Sequence, residues 1–113
     1  MSQMEITLSQ ADEIIECSDA LQRLYSNPDF KKVFLDRLLT KEPVRLTYLL
    51  AEPNMRREEQ RAGVIKDLEV IAGLQSFMRE LPLIADMARR AKQDHLEAEL
   101  EIEAEGGEME QGE

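Results

Sequence analysis

Proline placement constrains this chain more than any other feature. Its four prolines, Pro28, Pro43, Pro53 and Pro82, fall where helices should start, stop or bend, and no glycine occurs before Gly63. Proline lacks a backbone N–H and its ring clashes with the preceding turn, so it punctuates helices. Between these breaks the apolar residues recur at helical rather than strand spacing, and the helix formers Leu, Glu, Ala, Arg and Gln dominate. The pattern predicts an all-α fold, a compact bundle of four to five helices.

The first helix is expected from Thr7 or Ser9, either of which can cap free amides, to about Tyr25, with Ala11, Ile14, Ile15, Leu21, Leu24 and Tyr25 on one stripe. Ser26 or Asn27 then caps a second helix whose first turn holds Pro28 and Asp29, and which offers Phe30, Val33, Phe34, Leu35 and Leu38 to a core. Pro43 opens a short third helix with Val44, Leu46, Leu49 and Leu50, closed by Glu52-Pro53-Asn54. A fourth segment from about Arg56 carries Val64, Ile65, Leu68, Ile71, Ala72 and Met78. Pro82 kinks it or starts a fifth, whose Ile84, Met87, Ala88, Ala91 and Ala98 make a small-residue face. Gly63 and Gly73, costly inside a helix, suggest close helix packing.

Charge divides the chain. Asp94 to Glu113 hold nine acidic side chains and no Lys or Arg, whereas residues 1–93 carry fourteen basic against fifteen acidic groups. A like-charge block repels itself and buries little. The expected organisation is therefore an N-terminal extension at 1–7, a helical domain at 8–93, and an acidic tail at 94–113 that is partly helical and then disordered. Residues 96–105 alternate apolar and acidic side chains, a strand-like period, but Glu, Ala and Leu favour helix and Gly106-Gly107 should end the run.

Leu, Ile, Val and Phe supply 29 of 113 residues, enough for one thin aliphatic core. Such a core leaves a small stability margin that oligomerisation commonly supplements, here through the Ala-rich last helix. The lone Cys17 rules out an intramolecular disulfide, and the opening residues lack the basic and apolar regions of a signal peptide, so the expectation is a cytoplasmic protein with no membrane span. A sequence pI of about 4.6 makes nucleic acid an unfavoured partner.

No residue pattern indicates catalysis, a metal or a cofactor. His95 has Glu99 one turn later, but zinc needs three or four protein ligands. The carboxylate pairs Glu13/Glu16 and Glu58/Glu59 sit in similar solvated settings, whereas acid–base chemistry requires settings that separate their pKa values. Cys17 lies one position off the apolar stripe and reads as small and partly buried. Two charged groups remain as candidate partner-binding surfaces: Arg56, Arg57 and Arg61, interleaved with acidic residues, and Glu97, Glu99, Glu101, Glu103 and Glu105.

The run Ala20-Leu21-Gln22-Arg23-Leu24-Tyr25-Ser26-Asn27-Pro28-Asp29-Phe30-Lys31-Lys32-Val33-Phe34, with Glu42-Pro43-Val44-Arg45-Leu46 and Ala51-Glu52-Pro53-Asn54-Met55, resembles small acidic helical proteins of tailed bacteriophages, over residues 8 to about 97. The resemblance implies a context, phage infection or virion assembly, and carries over no catalytic or binding residue. The expected function is non-enzymatic binding of a phage or host protein, as an assembly or accessory factor in the host cytoplasm or the virion. The alternatives are an inhibitor whose tail carboxylates mimic nucleic-acid phosphates, and a nucleic-acid binder using Arg56, Arg57 and Arg61.

Overall fold

The structure, a computed structural model, describes residues 7–111, with side chains described to residue 106. Among the described residues the chain is all-helical and has no strand. Helix α1 is Leu8–Leu24. Helix α2 (Pro28–Phe30), a π-helical stretch (Lys31–Lys41) and helix α3 (Glu42–Leu50) follow one another without a break, and α4 is Glu58–Gln111. These are three helical rods where the prolines suggested four or five segments.

The starts follow local chemistry. Thr7 and Gln10 form a reciprocal capping box: Gln10 N donates to Thr7 Oγ1 at 3.3 Å and Thr7 N donates to Gln10 Oε1 at 3.0 Å. Asn27 caps α2, its Oδ1 accepting from the amides of Asp29 at 2.9 Å and Phe30 at 3.1 Å, with Pro28 in the first turn. Pro43 does not open a separate helix. It sits in the first turn of α3, and the backbone before it is wound wider, with Glu42 N donating to Arg37 O. Other contacts share the five-residue spacing: Thr40 Oγ1 donates to Leu35 O at 2.8 Å and Lys41 pairs with Asp36 at 3.1 Å. A proline ring presses on the carbonyl four residues back and supplies it no N–H. Here that carbonyl is Leu39 O, and it accepts instead from Gln75 Nε2 of α4 at 2.7 Å. Widening the winding and enlisting a distant amide together accommodate Pro43 inside a continuous rod.

Helix α4 runs through Pro82, and also through Gly106-Gly107 to Gln111, so the expected fraying at the glycines is not seen. Proline forfeits one hydrogen bond, and a glycine costs about 1 kcal/mol in a helix whose nucleation is already complete. The expected disordered end otherwise concerns residues 112–113, outside the described residues.

By contacts the chain divides into two units, Asp19–Glu80 and the described parts of Met1–Ser18 with Leu81–Glu113. In the first, Leu46, Val64 and Ile71 are buried, with Leu38, Leu39, Leu49, Leu50, Met55 and Leu68 packed on them. Tyr25, Phe30 and Phe34 form an aromatic run, with Tyr25 edge-on to Phe30 at 6.2 Å and Phe30 stacked on Phe34 at 5.0 Å. In the second unit α4 lies against α1 through small residues. Ala11 and Ser18 on α1 and Leu81, Ala85 and Ala88 on α4 are buried, and Lys92 pairs with Asp12.

Several expected core residues are not enclosed. Leu24, Val33, Val44, Ile65, Ile84 and Met87 are exposed, as are Ala62, Ala72 and Ala98. Cys17 is exposed rather than partly buried. Periodicity marks a face as apolar, and only a neighbouring element can cover it. Gly63 and Gly73 are likewise not sites of close packing, because a Cβ at either would meet nothing within 4 Å.

Candidate interaction surface

The two candidate charged groups have different settings. In the loop that joins α3 to α4, the chain must leave the last carbonyls of α3 without helical partners. Arg61 supplies one: its Nη1 donates to Leu50 O at 2.8 Å and to Met55 O at 3.4 Å. Its guanidinium is therefore engaged in holding the 51–57 loop against the start of α4. Arg56 and Arg57 are exposed in that loop. The arginines are thus not equivalent, and a basic surface here has two free-standing members instead of three.

The acidic group is carried on helix. Glu97, Glu99, Glu101, Glu103 and Glu105 are all exposed on α4, which nothing covers from Gln93 to Gly106. Local pairs brace this stretch: Gln93 Nε2 donates to Glu97 Oε1 at 3.1 Å, and His95 Nε2 lies 3.1 Å from Glu99 Oε1. The expected His95–Glu99 contact is thus formed, as an exposed pair on a helix surface.

Period-two alternation on a helix has a geometric consequence. At about 100° per residue, alternate positions step by about 200°, so the carboxylates divide into two rows, Glu97, Glu101, Glu105 and Glu99, Glu103, with apolar strips between. One strip holds Leu96 and Leu100 at 51% and 63% exposure, and the other holds Ile102 at 68%. Sequence reasoning fixed on the charges and passed over these aliphatic side chains. Projecting the alternation onto 3.6 residues per turn is the signal that finds them.

The Ala-rich face of α4 is only partly available to a partner. Ala85 and Ala88 are buried against α1, Ala91 is half-buried and Ala98 is exposed. Near residue 42, Glu42 accepts from Arg45, and this hydrogen bond holds its carboxyl below the usual carboxylate range and raises the guanidinium of Arg45. Glu42 also borders a groove with Leu38, Leu46, Asp67, Val70 and Ile71. Among the described residues no cluster of three or more His, Cys, Asp or Glu could hold a metal ion, and no helix is long and apolar enough to cross a membrane.

No protein family, curated protein or solved structure matches the chain.

Proposed function

We propose that this chain is a non-enzymatic interaction protein that binds through exposed helical faces, and that it serves as a virion-assembly or accessory factor of a tailed phage. The phage setting rests on the sequence resemblance. The observation that carries the binding role is the uncovered part of α4, where Leu96, Leu100 and Ile102 are each more than half exposed between rows of carboxylates. Leu96 and Leu100 stand one turn apart on the same strip, with Ile102 on the opposite one, and water-facing aliphatic side chains one turn apart on a helix are the form in which helices enter apolar grooves.

The same helix supports a second reading. Glu97, Glu101 and Glu105 stand in one row with a rise of about 6 Å between neighbours, a regular line of negative charge comparable in kind to a phosphate backbone. That geometry favours the mimic inhibitor over a loosely charged tail.

Affinity capture from infected cells separates the two. The full chain, a Leu96→Ser/Leu100→Ser variant, and a variant with Gln at positions 97, 99, 101, 103 and 105 are compared. The interaction reading expects the apolar variant to lose the partner and the Gln variant to keep it. The mimic reading expects the reverse, with steep weakening by salt. A partner retained equally by all three removes both readings from this part of α4.

A further inference from the structure

We propose that α4 pairs antiparallel with α4 of a second copy of this chain over residues 87–102. This rests on the reading of the chain as an interaction protein and names one partner for it. The α4 face toward α1 is filled by Leu81, Ala85, Ala88 and Lys92. Roughly a quarter turn away runs a second stripe, Met87, Ala91, Ala98 and Ile102, in which Ala91 is half-buried and the other three are exposed. Met87 is 60% and Ile102 68% exposed.

A two-fold arrangement fits this stripe to itself. The register that sets Met87 against Ile102 of the second copy also sets Ala91 against Ala98, with the axis between Asp94 and His95. The alanines at the middle let the two helices approach closely, while the larger side chains fill the ends.

Charge selects the direction. Residues 81–93 carry Arg89, Arg90 and Lys92 against Asp86, a net +2, whereas residues 94–106 carry Asp94 and five glutamates, a net −6. Antiparallel pairing lays the basic part of each helix on the acidic part of the other, and parallel pairing lays like on like. Arg90 lies on the same flank of the stripe as Glu97 and Glu101, so each Arg90 falls between those two carboxylates of the second copy. The two Asp94 carboxylates meet near the axis, each one turn from the Arg90 of its own helix.

Sedimentation equilibrium of the full chain tests the pairing. The expected mass is twice 13.0 kDa at micromolar concentration. Met87→Asp should abolish the dimer. Arg90→Glu, or Glu97→Arg with Glu101→Arg, should each weaken it about tenfold or more, and the three changes together should restore most of the loss. All these side chains are exposed, so helical circular dichroism should not change and serves as the folding control. A chain that stays at 13.0 kDa up to about 100 μM, a range that covers moderate affinities, overturns the proposal. So does a dimer indifferent to Met87→Asp, or a triple variant no tighter than its parts. A monomeric chain that still captures its cellular partner removes self-pairing alone, whereas a dimer that captures nothing removes the assembly reading alone.

Discussion

Gln75→Leu should destabilise the protein by an amount that depends on Pro43. In the wild type, Gln75 Nε2 donates at 2.7 Å to the Leu39 carbonyl, a part-buried acceptor whose helical donor would be the N–H that Pro43 lacks. Removing the amide deletes this hydrogen bond to a part-buried carbonyl, at a cost of about 1–2 kcal/mol. For a unit of this size, that lowers Tm by roughly 4–16 °C. In a Pro43→Ala background residue 43 regains an N–H that can reach Leu39 O four residues back, so Gln75→Leu should then cost only a few tenths of a kcal/mol. The coupling between the two sites should thus be about 1 kcal/mol and favourable to the double variant. Urea unfolding followed at 222 nm on the wild type, both single variants and the double variant measures it. Equal cost for Gln75→Leu in the two backgrounds would refute the idea that Gln75 substitutes for the missing amide.

Leu46→Ala should cost about 2–4 kcal/mol, because Leu46 is 4% exposed at the centre of its cluster, while Leu24→Ala, with Leu24 at 43% exposure, should cost about 1 kcal/mol; chemical denaturation distinguishes them. Gly73→Ala and Gly63→Ala should each stabilise by about 0.5–1 kcal/mol, since the added methyl meets nothing within 4 Å and lowers the entropy lost on helix formation; a fall in Tm would show a close neighbour. The Glu42 carboxyl is held below its ordinary value of 4.5 by the hydrogen bond from Arg45. Its stabilising contribution is therefore full above that pH and is lost as pH falls through the folded-state value, so Glu42→Gln should flatten the acid limb of a stability–pH curve.

Local chemistry was legible in the sequence wherever it acts over a few residues. The Thr7 and Asn27 caps, the 51–57 break and the buried faces of Leu46, Val64 and Ile71 follow from side-chain type and spacing. What escaped depends on distant partners. Arg61 caps a helix that ends eleven residues earlier, Gln75 serves a carbonyl 36 residues away, and neither spacing has a local signature. Leu24, Val33 and Met87 share the periodicity of enclosed residues, yet no element comes to cover them. Pro82 was read as a kink or a new start and the Gly pair as a stop because their local cost is real; the helix runs through both, already formed on either side. Ala85 and Ser18 were missed for a related reason, since small or polar residues at a close crossing leave little hydrophobic signal.

The unbroken winding of α4 past Gln93 turns the acidic segment into an object with a phase. In a flexible tail, the spacing between two binding groups tolerates an added residue. Here one residue inserted between Gln93 and Leu96 would rotate everything beyond it by about 100° and advance it by about 1.5 Å, sending the carboxylate rows to where the aliphatic strips had been. Seven inserted residues, close to two full turns, would nearly restore the bearing while displacing the surface by about 10 Å. Any partner that reads this segment therefore imposes a reading frame on it in three dimensions, and the lengths the segment can adopt without losing that partner come in steps of about seven residues.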